Sequence, residues 1–302
     1  MEFDYIFDEL EIYSNPFALC QLRGRCDLGL KQQAGVMLHF ILAGQGEIVI
    51  HNKKSVKVGP GMLALVPSHH SHVLRSTNGA VNTLPQCQPV DIDLLNLVKH
   101  GEDTATGGLL AICSHIDIGF RGTRGVINLL RAPMIKTAGA GTLLGSSIDQ
   151  MLAELSHPKL GSRAVIRTII LQCVIDLLRE KLIANDPGLR WMTVLKDERI
   201  WSALQVMLEE PSGKHTVESL AERAGMSRST FAQRFAQAYG NGPMNLLRDL
   251  RMNHAALLLE QSQNTIDRIA QMSGFASRSS FSHAFKLSTG SSPANFRRNA
   301  RQ

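Results

Sequence analysis

Two sets of side chains in this 302-residue sequence could do chemistry. The first lies near the N-terminus: His39, His69, His70 and His72, with Arg23 and Arg25 ahead of them. Neutral imidazole is the commonest metal ligand, and arginine forks onto carboxylates and phosphates. Three histidines bunched on one turn do not converge on one ion, so a polar rim, or a ligand pocket lined by His72, suits them better than a metal centre. The second set lies near the C-terminus. Arg228, Ser229, Ala232, Gln233 and Arg234 are followed, 50 residues after the first of them, by Arg278, Ser279, Ser282 and His283, and then by Lys286. Glutamine can bond adenine through two atoms, and arginine can read guanine or hold a phosphate. Arg228, Arg234 and Lys286 are candidates for phosphate contact, which positions a duplex rather than reading it.

The elements that must carry the second set repeat. Leu220-Ala221, Gly225, Phe231, Phe235, Gly240 and Pro243 return as Ile269-Ala270, Gly274, Phe281, Phe285, Gly290 and Pro293. Val217, Leu220, Ala221 and Ala224 follow helical spacing behind Thr216, a fair N-cap. Gly225 sits where a helix ends, and Ser227 can start the next one, on which Phe231 and Phe235 face inward. Helix, glycine turn, helix is the pattern of a DNA-reading unit, and here it occurs twice. Between the copies, Pro243–Gln261 reads as a helix of about 28 Å, close to the roughly 34 Å that separates successive major grooves on one face of a duplex. From residue 213 to the end there are 12 Lys/Arg against 5 Asp/Glu, a net +7, while the rest carries 20 against 21. A local basic excess of this kind is the footprint of phosphate binding.

These ninety or so residues resemble the C-terminal DNA-binding domain of the AraC/XylS family of bacterial transcription regulators. The resemblance is carried by Leu220-Ala221-x-x-Ala224-Gly225-Met226-Ser227, by Ile269-Ala270-x-x-Ser273-Gly274-Phe275 and by the closing string from Ser280-Phe281 through Gly290 and Pro293 to Phe296-Arg297. It implies that Ser229, Ala232 and Gln233 face base edges of double-stranded DNA. It also implies a homodimer and contact with RNA polymerase.

The remaining chain bounds the other possibilities. No run of about 18 apolar residues occurs, so no membrane span is expected. Five scattered cysteines without a CxxC pair, Cys20, Cys26, Cys87, Cys113 and Cys173, fit a cytoplasmic protein with reduced thiols. A redox-responsive regulator using a pair such as Cys20 and Cys87 is the alternative reading. Residues 17–95 read as short strands with turns every eight to ten residues, including Met37–Leu42, Glu47–His51, Ser55–Val58 and Met62–Val66. Leu109–Ile118 and Gly125–Leu130 read as the last strands, with His115-x-Asp117 as structural residues. Leu143–Leu155 and Arg163–Ala184 form a helical hairpin. Its second stripe is wide enough to suggest a partner helix from another subunit.

The order Gly44-x-Gly46, Gly59-x-Gly61, Pro67, His72 resembles the small cupin barrel that often precedes such a DNA-binding domain. A cupin metal enzyme is disfavoured, because Ile41 stands where the second histidine of a catalytic cupin would be. The expected architecture is α+β: a cupin-like antiparallel barrel over residues 1–141, a helical hairpin with dimerisation and linker roles over 142–196, and an all-α DNA-binding domain with two helix-turn-helix units over 197–302. No metal, cofactor or catalytic residue is expected. A small effector is expected at the barrel, touched by Arg23, Arg25, His39 and His72. Relatives with basic residues there imply an anionic one such as a cyclic dinucleotide.

Overall fold

The computed structural model describes residues 4–14, 18–30, 36–50, 55–67, 72–77, 98–100, 108–130, 132–137, 142–189, 191–192, 195 and 197–301. His69, His70 and Cys87 lie outside the described residues. A short helix, α1 (Asp4–Asp8), precedes strands β1 (Leu10–Ser14), β2 (Ala18–Arg23), β3 (Asp27–Leu30), β4 (Val36–Gly44), β5 (Gly46–Ile50), β6 (Val56–Val58), β7 (Met62–Val66), β8 (His72–Ser76), β9 (Val98–His100), β10 (Gly108–Phe120) and β11 (Met134–Thr137).

The strands form two sheets. The larger runs β11-β7-β4-β10-β2-β9, with β1 also paired to β10, and the smaller runs β3-β8-β5-β6. Every pairing is antiparallel except β2 with β9. The expected barrel therefore appears as two packed sheets that do not close among the described residues. Strands β5 and β8 alternate buried and half-buried positions, as a sheet with one inner face must. Strands β4 and β10 are buried almost continuously.

Gly44-Gln45-Gly46 carries the chain from the large sheet to the small one. A Cβ on Gly44 would fall 1.9 Å from the Gly108 carbonyl oxygen, and one on Gly46 would fall 2.1 Å from that of Arg75. The crossing is that tight, which is why this spacing of glycines marks it. The expected strand at 125–130 is a 3-10 turn over Val126–Leu129 instead. Gly125, in the left-handed region at φ 80°, turns the chain, and its N–H donates to the Asp117 carboxylate at 3.1 Å.

Helices α2 (Leu143–Ser156) and α3 (Ser162–Ile183) form the hairpin. The wide apolar stripe of α3, from Ile166 to Leu182, is buried within this chain, so its width needs no second copy. Lys136 on β11 bonds Asp176 and Glu180 of α3, each at 2.7 Å. Helix α4 (Glu198–Glu209), capped by Asp197, then leads out of the N-terminal half. It is held there by Trp201 edge-on to Phe120 at 4.9 Å and by the Thr123 hydroxyl donating to Glu209 at 3.0 Å.

Candidate nucleic-acid interface

Six helices follow: α5 (Val217–Arg223), α6 (Arg228–Tyr239), α7 (Pro243–Gln261), α8 (Ile266–Met272), α9 (Arg278–Thr289) and α10 (Pro293–Arg301). Local chemistry sets their limits. Thr216, Ser227, Thr265 and Ser277 each cap a helix N-terminus by accepting a backbone N–H, and Thr216 forms a reciprocal box with Ser219. Pro243 occupies the first turn of α7. Gly240 and Gly290 close α6 and α9 in the left-handed conformation, at φ 72° and 77°.

The two units match inside and out. Phe231 and Phe235 are fully buried with ring centroids 5.5 Å apart, and Phe281 with Phe285 repeats this at 5.6 Å. With the phenylalanines inward, Arg228, Ser229, Gln233 and Arg234 on α6 are exposed, and Ala232 is half-buried. On α9, Arg278, Ser279, His283 and Lys286 are exposed and Ser282 is half-buried. An ion pair also repeats: Arg228 reaches Glu218 at 2.8 Å, and Arg278 reaches Asp267 at 3.1 Å. In each copy a carboxylate in the first turn of one helix holds the leading arginine of the next. Exposed pairs of this kind are worth about 0–1 kcal/mol, so a phosphate can displace the carboxylate at little cost. Arg234 is held instead by Asp197, the cap of α4, at 3.2 Å. Lys286 makes no ion pair among the described residues.

Helix α7 joins the units. Its Arg251 donates from Nε to the Pro211 carbonyl at 2.8 Å and from Nη2 to that of Gly213 at 2.9 Å. Gly274, at φ 77°, turns directly against this clamp: a Cβ there would meet the Ser212 carbonyl oxygen and the Arg251 Nε at 2.9 Å each.

The N-terminal candidates are placed differently from a barrel rim. His39 is fully buried and His72 almost so. Their Nε2 atoms lie 2.7 Å apart, and His39 Nδ1 is 3.1 Å from the Cys113 sulfur. The trio links β4 and β10 of the large sheet to β8 of the small one. Cys113 and His72 sit on opposite nitrogens of one ring, so the three do not converge on a point. Burial pushes the His39 imidazole well below its ordinary pKa, with His72 and His115 adding to the effect. Arg23 is half-buried at the end of β2, and Arg25 is exposed on the turn that follows.

A cavity of about 440 Å³ lies elsewhere, between the two halves of the molecule. The N-terminal half contributes His115, Ile116, Asp117, Arg124 and Asn128, the end of α4 and the loop after it contribute Glu209 and Glu210, and α7 contributes Leu250, His254 and Leu257. His115 Nδ1 and Asn128 Oδ1 are buried without a hydrogen-bond partner among the described residues. Each such orphan costs about 1–3 kcal/mol. Burial raises the Asp117 carboxyl above its ordinary value, and it lowers His115 and His254. By sequence, His115-x-Asp117 reads as a structural pair. Their spacing of two was visible, but what faces them across the cavity was not.

A two-sheet sensor half followed by two capped helix-turn-helix units defines a DNA-binding transcription regulator. Residues 3–182 match the family model described as Cupin, and residues 220–299 match the one described as Helix-turn-helix domain. The chain belongs to the AraC family of transcription regulators, with an N-terminal cupin domain. It is 25% identical to the HTH-type transcriptional regulator AlkR of Acinetobacter baylyi over 97% of both chains. It is 34% identical to a putative AraC-like transcription regulator of Streptomyces antibioticus over 51% of this chain, and spans about half, 50%, of that relative's length. Among solved structures, the DNA-binding domain of AdpA in complex with a target DNA is 36% identical, covering 34% of this chain and 92% of that one, with a TM-score of 0.33. Among the described residues, no helix is long and apolar enough to cross a membrane.

Proposed function

We propose that the protein is an effector-responsive, sequence-specific regulator that sets α6 and α9 into successive major grooves of promoter DNA. The observation that carries this is the matched exterior of the two units: the same ion pair and the same exposed polar face on each second helix, joined by the 19-residue α7. Residues 1–141 sense, 142–196 dimerise and link, and 197–302 bind DNA. The functional unit is a cytoplasmic homodimer that meets RNA polymerase at the promoter. Ser229, Ala232 and Gln233 read bases from α6, and Ser279, Ser282 and His283 do so from α9. Arg228, Arg234 and Lys286 take phosphates, and Arg278 takes a guanine or a phosphate.

Selection of binding sites from random-sequence duplexes tests this. Gln233→Ala relaxes the preference at one base position, with a discrimination loss of about 1–3 kcal/mol. Lys286→Ala weakens all sites alike and reduces the salt dependence by about one unit of slope. If both variants returned the same sites with unaltered affinity and salt slope, the assignment of α6 and α9 would be wrong.

A further inference from the structure

We propose that the cavity between the sensor half and α7 binds the effector, and that the effector is a small amphipathic cation, a protonated amine on an apolar body. This rests on the reading of the chain as an effector-responsive regulator, and it adds the place and the chemistry.

Charge sets the sign. Asp117, Glu209 and Glu210 line the cavity against one guanidinium, Arg124, which is drawn over the Tyr13 ring at 4.2 Å. Asp117 is the carboxylate of the β10 wall, where it accepts the Gly125 N–H at 3.1 Å, and Glu209, which accepts from Thr123 and Gln205 at 3.0 and 2.7 Å, stands on the α4 side. A protonated amine brings donors and a positive charge to this carboxylate-rich lining, whereas a carboxylate or phosphate would meet like charge there. The raised Asp117 carboxyl agrees, since burial works against its charge and a cation beside it offsets that.

Apolar surface sets the body. Ile116 and Leu250 face the cavity, and so does Leu257, which is 37% exposed although it belongs to a helix whose other apolar residues are mostly buried. Neither Arg23, Arg25, His39 nor His72 lines this space. Position explains the effect on DNA. One wall is β10 and the turn after it, and the opposite wall is the helix that carries both reading units. A ligand that touches both walls favours the arrangement in which they stand at one spacing, and so shifts the population of the DNA-competent form.

The test uses the full-length protein with three probes of equal chain length: octylamine, octanoate and octan-1-ol. Calorimetric titration without DNA gives octylamine a Kd at least tenfold lower than either of the others. Asp117→Asn removes that preference. Leu257→Trp, which fills the cavity from the exposed side of α7, removes binding of all three. Saturating octylamine changes the affinity for selected duplex DNA in the wild type and not in Leu257→Trp. Equal binding of the three probes, or octylamine binding that survives in Leu257→Trp, overturns the site. DNA binding is measured on the same samples with and without amine. Its absence in both, alongside selective amine binding, overturns the regulator reading and not the cavity; DNA binding with no selective amine binding overturns the cavity alone.

Discussion

At the residue scale, two glycines in equivalent positions make a controlled pair. Gly225 and Gly274 both turn in the left-handed region, at φ 59° and 77°, but a Cβ on Gly225 meets nothing within 4 Å, whereas one on Gly274 strikes the Ser212 carbonyl oxygen. Gly225→Ala therefore carries only the conformational strain, about 1–2 kcal/mol. Gly274→Ala should cost about 1 kcal/mol more, because backbone must move. Urea unfolding of both variants checks the difference, and equal losses would mean that Ser212 gives way freely. His39 offers a second prediction. Its folded-state pKa is depressed, so its contribution to stability is complete above about pH 6.5 and is lost as the pH falls below that value. The loss is at most about 1.4 kcal/mol per pH unit for the one proton. His115 and His254 are lowered too and add to the same acid limb. Unfolding free energies measured between pH 5 and 7 should fall less steeply in His39→Gln than in the wild type, and parallel slopes would show that His39 takes up its proton alike in the folded and unfolded states. None of this was legible at the histidines themselves. His39 meets His72 across 33 residues and Cys113 across 74, a meeting made by the stacking of sheets and not by spacing.

At the element scale the sequence was most readable where structure is local. The caps at Thr216, Ser227 and Thr265, the glycine stops and the phenylalanine pairs all act within one or two turns, and every helix of the reading half begins and ends near where those residues put it. Strands β5, β6 and β7 were equally visible between their turns. Which strands would pair was not, because pairing depends on partners far along the chain. The stretch after Gly125 shows the limit. Val126, Ile127 and Leu129 are apolar enough for a strand, yet the left-handed glycine and its bond to Asp117 commit them to a turn. The contact between β11 and α3 carries its own prediction. Burial works against the Lys136 charge, but hydrogen bonds to Asp176 and Glu180 outweigh it and leave its pKa raised. Lys136→Met strands two carboxylates, one of them half exposed, and should destabilise the chain by about 1–3 kcal/mol. Adding Asp176→Asn and Glu180→Gln should recover most of that loss, and no recovery would locate the effect in packing.

At the scale of the whole molecule, the basic tail and its duplicated pattern announced a DNA reader, because charge and repetition survive in one dimension. The cavity did not announce itself. Its walls come from residues 115–128, 208–212 and 250–257, three stretches unremarkable by themselves, brought together only when the two halves dock. The net charge of the lining is also opposite to what Arg23 and Arg25 suggested about an effector, since those arginines stand on another part of the fold.

The apolar interior changes ownership within α7. Leu246, Leu247 and Leu250 belong to a core continuous with the two sheets and the first helix-turn-helix unit, while Met252, Ala255, Ala256 and Leu259 belong to a separate core under the second. Arg251, bonded to the 211–213 loop, stands at the seam. The two helix-turn-helix units are thus held unequally. The first shares one apolar interior with the two sheets, while the second packs on the far end of α7, beyond the point where Arg251 ties that helix to the loop before α5.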